Sequence, residues 1–161
     1  MKKFLVIGNP INHSLSPKLH NYWLKQNKIN AIYDKQKLEK KDLENLILQV
    51  REKKIDGINV TVPFKKAIIP FIDKLSSEAQ KTQSVNTIYL DNSKIIGHNT
   101  DTVGFTMSIH KSNINLLNKK ILILGAGGVV PSIILALIEM KVSKVFVCNR
   151  TKEKAENLKS F

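Results

Sequence analysis

Hydrophobic positions along this chain alternate between short unbroken apolar runs and stretches with helical spacing, the pattern of strands that helices cover. Phe4-Leu-Val-Ile7 predicts a buried strand that ends at the turn signal Gly8-Asn9-Pro10. Ser16 before Pro17 predicts a helix start, with Ser16 as N-cap and Leu19, Tyr22 and Trp23 as the apolar stripe. A strand at about 30–36 and a helix at about 39–52 follow, and the helix places Leu43, Leu46, Ile47 and Val50 on one face. Gly57-Ile-Asn-Val-Thr-Val62 reads as a third strand, rich in β-branched residues and stopped by Pro63. Short helices near 65–72 and 76–82, then strands at about 85–90 and 94–97, complete the first α/β region.

A segment at 101–113 with Phe105 and Ile109 predicts a connecting helix, and Leu116-Leu-Asn-Lys-Lys120 leads to a fresh start. Lys120-Ile-Leu-Ile-Leu124 reads as a buried parallel strand, Gly125-Ala-Gly-Gly128 as a tight turn, 128–140 as an almost wholly apolar helix, and Lys144-Val-Phe-Val-Cys148 as the next strand. A last helix begins near Thr151. The expected class is α/β, divided into a domain at 1–100, a connecting helix and linker at 101–118, and an incomplete dinucleotide-binding domain at 119–161. Half of a doubly wound nucleotide-binding sheet normally has three strands, so the two here lead us to expect a fragment of a longer enzyme in preference to a naturally shortened chain.

Composition changes this picture little. The 161 residues carry 26 Lys+Arg against 13 Asp+Glu, a formal charge of +13. Only two of the basic residues are Arg, and with 20 Ile and 15 Asn beside the scattered lysines the charge reads as an A·T-rich coding bias. No nucleic-acid motif or aromatic stacking platform accompanies it, so neither DNA nor RNA is an expected partner. No apolar run approaches the roughly 18 residues of a membrane span. The single Cys148 supports neither a disulfide framework nor a zinc site, so we expect a cytoplasmic protein with no metal.

The chemistry sits in short motifs. Gly125 permits the tight turn, Gly127 lets backbone N–H groups approach a pyrophosphate, and the following helix N-terminus adds partial positive charge. The third position of the G-x-G-x-x-G pattern is Val130, which sets helix and strand slightly further apart. After the next strand comes Asn149-Arg150-Thr151 where an NAD site would carry Asp or Glu. A guanidinium there suits a 2′-phosphate, and Lys154 one turn on adds charge, so NADP is expected over NAD. By residue type alone, the glycines also read as a plain strand cap, Asn149 as an N-cap and Arg150 as a solvated charge. Thr61 and Lys65 fall at the carboxyl end of a strand, where α/β proteins place ligands, although Lys65-Lys66 reads as well as a surface pair. Asp101 follows the last strand of the first region, and Ser14 and Ser16 offer hydroxyls suited to a carboxylate; singly, Asp101 and Ser16 serve equally as helix caps.

In combination, Ser14-Leu-Ser-Pro17, Asn59-Val-Thr-Val-Pro-Phe-Lys65, Ser84-Val-Asn-Thr87, Asn99-Thr-Asp101, Gly125-Ala-Gly-Gly128 and Asn149-Arg-Thr151 resemble the successive signatures of the shikimate dehydrogenase family, along the whole chain. The resemblance implies an α/β substrate domain followed by the start of a Rossmann-type domain, and NADPH-dependent reduction of 3-dehydroshikimate to shikimate in aromatic amino acid biosynthesis. It implies that Ser14 and Ser16 bind the substrate carboxylate, that Thr61, Lys65, Asn86 and Asp101 contact the ring hydroxyls, and that Lys65 and Asp101 form the catalytic pair. Gly125, Ala126, Gly127, Gly128 and Val129 would carry the pyrophosphate, and Asn149, Arg150, Thr151 and Lys154 the 2′-phosphate. Three departures stand out: His98 where some members carry Asp or Tyr, Thr102 where Gly is frequent, and Val129-Val130-Pro131 in place of small residues. A second reading is a non-catalytic shikimate-binding module or pseudoenzyme; a quinate/shikimate enzyme using NAD is a closer alternative, disfavoured by Arg150, and a soluble α/β domain with another ligand is the third. A homodimer is compatible with the sequence but is not read from it.

Overall fold

In the computed structural model, which describes residues 1–159, β1 (Lys2–Gly8) lies between β2 (Ala31–Lys37) and β3 (Gly57–Val60) and pairs in parallel with both. Leu5, Val6 and Ile7 are buried consecutively, as a strand covered on both faces requires. β5 (Thr87–Asp91) runs antiparallel to β3 and to β6 (Lys94–His98), and a two-residue strand β4 (Lys74–Leu75) closes the sheet in the order β2-β1-β3-β5-β6-β4. The sequence does not announce β4, because two residues show no periodicity. α1 (Ser16–Gln26) lies against β2, and α2 (Leu43–Arg51) packs toward β5 and β6. The four apolar residues of α2 expected on one face, Leu43, Leu46, Ile47 and Val50, are all buried, each worth about 1.5–3 kcal/mol of transfer free energy.

Several expectations are corrected. Leu15, not Ser16, occupies the N-cap of α1; Ser16 is already helical, and its N–H donates to Ser14 Oγ at 3.3 Å. Leu19, Tyr22 and Trp23 are exposed instead of forming a buried stripe. The helix rests on an edge strand and inserts Leu24 toward the cluster of Val6, Ile11 and Tyr33, leaving its other apolar residues outside. The third strand ends at Val60, because Thr61 turns the chain: Phe64 N–H donates to Thr61 O at 2.9 Å. The expected helix at 65–72 is a four-residue α3 (Phe64–Ala67) and a separate 3-10 turn, Ile69–Phe71, since Pro70 has no N–H to continue the helical ladder.

Arg51 and Asp73 clamp α2 to the sheet. The guanidinium makes a two-pronged contact with the carboxylate at 2.9 and 3.1 Å, and Asp73 also accepts Ile95 N–H at 2.6 Å. The Arg51 hydrogen bonds, then the Ile95 N–H, hold the Asp73 carboxyl below the usual carboxylate range. A carboxyl depressed in the folded state stabilises fully above its unfolded pKa, near 3.9, and that contribution is lost as pH falls through the folded value. Asp73→Asn is therefore expected to flatten the loss of thermal stability below about pH 4, read as Tm against pH in variant and wild type; parallel acid limbs would contradict it.

Contacts divide the chain into two compact units. The first is Met1–Ser76 with Val85–His98; the second is Ser77–Ser84 with the chain from Asn99 onward. The short helix α4 (Ser77–Thr82) belongs to the second because it packs on α6 (Val130–Glu139), which no local pattern at 76–82 encodes. The second unit also contains α5 (Asp101–Lys111), packed on α6, the parallel pair β7 (Lys120–Leu124) and β8 (Lys144–Cys148), and α7 (Lys152–Glu156). β7 was expected to be buried, yet Leu122 and Leu124 are 62% and 78% exposed. On one side, Val145 and Val147 of β8 line a groove with Ile134 and Ile138 of α6; among the described residues nothing comparable covers Leu122 and Leu124. No described helix is long and apolar enough to cross a membrane.

Candidate active site

In the first unit the carboxyl ends of β1 and β3 are drawn together. Asn9 N–H donates to Val62 O at 3.0 Å and Thr61 N–H to Ile7 O at 2.9 Å. Gly8 makes that approach possible: a Cβ there would lie 2.6 Å from Thr61 Cγ2 and 3.0 Å from Val62 O. Asn9 Nδ2 donates to Leu38 O at 3.1 Å, and Lys35 Nζ donates to Asn12 O, so the segment after β1 is held at several points. The result is a pocket of about 380 Å³ lined by Pro10, Ile11, His13, Ser14, Ser16 and Thr61, together with Val6 and Val62. Three expected ligand residues, Ser14, Ser16 and Thr61, therefore share one cavity with apolar walls, a setting in which hydroxyls can orient a small polar acid. His13 also lines it and was not singled out, having no signal beyond adjacency to Ser14.

Lys65 and Asn86 are held near this strand end through their backbones. Val85 N–H donates to Lys65 O at 2.9 Å, Val60 N–H to Asn86 O at 2.9 Å, and Asn86 N–H to His98 O at 3.0 Å. A polar relay runs behind them. Tyr33 donates its hydroxyl to Asn59 Oδ1 at 2.7 Å, Asn59 Nδ2 donates to Asn86 O and Thr87 Oγ1 at 3.2 Å each, and Thr87 Oγ1 donates to Asn86 Oδ1 at 3.1 Å. This relay sets the side-chain amide of Asn86. Burial pushes the Tyr33 hydroxyl up to about 12, so it remains a donor throughout the physiological range. His20 stacks on the Tyr33 ring at 4.1 Å between centroids, and its own pKa is lowered by burial.

In the second unit Asp101 is the first residue of α5, and its N–H donates to Asn99 Oδ1 at 2.9 Å. The neighbouring Thr102, one of the three departures, is buried with its hydroxyl lacking a hydrogen-bond partner. The glycine turn joins β7 to α6. Gly125 has φ +109°, a conformation that L side chains rarely adopt, and its N–H donates to Cys148 O at 2.7 Å. Nothing lies within 4 Å of where a Cβ would stand on Gly125, Gly127 or Gly128, so the turn leaves an open cradle in front of the α6 N-terminus.

Asn149 braces that cradle: its Oδ1 accepts Ala126 N–H at 3.1 Å and its Nδ2 donates to Thr151 O at 2.8 Å. Its side chain shapes the turn, while Arg150, Thr151 and Lys154 stand exposed at the end of β8 and the start of α7. An uncrowded glycine turn at a helix N-terminus, a guanidinium and an ammonium make a set that fits a dinucleotide bearing an extra phosphate. Lys65 and Asn86 belong to the first unit and Asp101 and the glycine turn to the second.

Comparison with known proteins identifies the family. Residues 6–88 match the shikimate dehydrogenase substrate binding domain, and residues 108–161 match the shikimate / quinate 5-dehydrogenase family. A shikimate dehydrogenase (NADP(+)) of Pelagibacter ubique (strain HTCC1062) is 60% identical over 158 residues, covering 98% of this chain and 60% of that protein. The crystal structure of shikimate dehydrogenase from Aquifex aeolicus aligns with a TM-score of 0.92 at 39% identity, covering 99% of this chain and 60% of the other. That of shikimate 5-dehydrogenase from Thermus thermophilus, in complex with NADP(H) and shikimate, aligns with a TM-score of 0.89 at 33% identity, covering 99% and 60%. The chain spans about 60% of the length of the curated relatives it matches.

Proposed function

Because this chain belongs to the shikimate dehydrogenase family, we propose that the protein carrying it reduces 3-dehydroshikimate reversibly to shikimate with NADPH. The observation that carries this reading is the pocket in which Ser14, Ser16 and Thr61 meet at the carboxyl ends of β1 and β3. The Ser14 and Ser16 hydroxyls donate to the substrate carboxylate, and Thr61 and Asn86 hold ring hydroxyls. Lys65 stands at the reacting oxygen. As negative charge grows there, its ammonium stabilises the charge and delivers the proton that completes the alcohol. Asp101 orients the ammonium and accepts a hydrogen bond from the reacting hydroxyl.

NADPH, when bound, supplies the hydride. Gly125, Ala126, Gly127, Gly128 and Val129 hold its pyrophosphate in this reading, and Arg150, Thr151 and Lys154 its 2′-phosphate, on a turn that Asn149 keeps in shape. In this reading the functional division is a substrate domain at 1–100, a connection at 101–118 and the start of the nucleotide domain at 119–161.

The test is to express the protein from its complete reading frame and follow NADPH oxidation on addition of 3-dehydroshikimate. The expected result is substrate-dependent oxidation, with NADPH preferred to NADH. Shikimate binding with no turnover would support the non-catalytic module instead, and failure to bind shikimate would remove the reading altogether.

A further inference from the structure

We infer that Asn99 is a positioning residue for the reaction proposed above, on which this inference rests, and that it acts by tying the first turn of α5 to the first turn of α6. Asn99 is fully buried, at 0% exposure. Its Oδ1 accepts Asp101 N–H at 2.9 Å, and its Nδ2 donates to Ser132 Oγ and Ser84 O at 2.9 Å each and to Thr82 Oγ1 at 3.2 Å. Two amide hydrogens serve three acceptors, so the longest contact, to Thr82, is the shared one. The side chain has no idle polar atom, and any other rotamer would leave buried groups unpaired.

The two ends of this strut are functional. Asp101 N–H is one of the donors that the start of a helix leaves without an intrahelical partner. By accepting it, Asn99 fixes the backbone of Asp101 and thus the root of the carboxylate. Ser132 is the third residue of α6, directly behind the glycine turn. It is fully buried, and serine is the smallest side chain that offers an acceptor there. One buried amide therefore joins the residue proposed to orient the catalytic ammonium to the helix whose entry turn is proposed to hold the pyrophosphate. A shift of either end is felt at the other, because close-packed interiors transmit displacement.

The experiment uses the protein expressed from its complete reading frame, with two readouts: steady-state turnover and amide hydrogen exchange at the start of α5. Ser132→Ala is expected to lower kcat about tenfold while KM for both ligands stays within about threefold. Exchange at the Asp101 amide is expected to rise about tenfold in the same variant. Ser132→Thr, which keeps the hydroxyl, is expected to restore both to within about twofold of wild type. Thr82→Ala removes another acceptor of the same amide while leaving the Asn99–Ser132 bond in place, and is expected to leave kcat within about twofold. A merely structural amide would make Ser132→Ala and Thr82→Ala alike. Equal losses of kcat in those two variants, or unchanged kcat and exchange in Ser132→Ala, overturn the inference. If the wild-type protein shows no turnover, it is the proposed function that fails; the exchange comparison still decides whether Ser132 and Asn99 hold Asp101.

Discussion

Lys65→Ala is expected to lower kcat by on the order of 10²–10⁴ while KM for NADPH stays nearly unchanged. The direction follows from the role: the ammonium acts on the oxygen that becomes charged in the transition state, so its removal weakens a contact that grows during the reaction. The local fold has little reason to change. The Lys65 backbone carbonyl accepts Val85 N–H, a bond that alanine retains. Initial rates with both ligands varied, on a variant whose thermal midpoint matches wild type, provide the measurement. Turnover undiminished by the substitution would exclude Lys65 as the proton donor.

Arg150→Ala is expected to raise KM for NADPH by about 10- to 100-fold and leave KM for NADH within about twofold, so that cofactor preference collapses. A hydrogen bond to a charged group is worth about 1.5–3 kcal/mol, and each 1.4 kcal/mol is a factor of about ten in affinity. The effect is confined to the phosphorylated cofactor because Arg150 faces solvent, while Asn149 and not Arg150 braces the glycine turn. Lys154→Ala should act in the same direction and more weakly, since a lysine meets phosphate as a point charge without the planar fork of a guanidinium. Steady-state kinetics with NADPH and NADH side by side decide it: equal losses with both would mean that Arg150 supports the turn and does not read the phosphate.

The order of elements was legible because each strand and helix carries its own period. Leu43, Leu46, Ile47 and Val50 announce a helix face, and Leu5, Val6 and Ile7 a strand covered on both sides. Boundaries were less legible. Thr61 and Val62 have strand composition, yet the turn that Phe64 N–H closes onto Thr61 O ends the strand at Val60. The stripe on α1 shows the same limit: Leu19, Tyr22 and Trp23 have helical spacing, but spacing says only that a face exists, not what covers it.

The candidate site divides in the same way. Ser14, Ser16, Thr61 and the glycine turn could be found by residue type and position relative to strand ends. Asn149 was placed among the phosphate ligands, while its amide reaches back across 23 residues to Ala126. Asn99 lay inside a motif already noticed for Asp101. An Asn two residues before a helix start is the usual form of a side chain that accepts the i+2 amide, and that signal was available; its bond to Ser132, 33 residues away, was not.

By itself the sequence determined the α/β class, the alternation of elements and the residue types available for chemistry, because these depend on local periodicity and on turn residues whose backbone preferences are intrinsic. Only the tertiary structure decided which polar groups meet: Tyr33 with Asn59, Asn149 with Ala126, and Asn99 with Asp101 and Ser132. Such contacts join residues distant along the chain, and they are selected by the cost of leaving buried donors and acceptors unpaired, which no local stretch of sequence expresses.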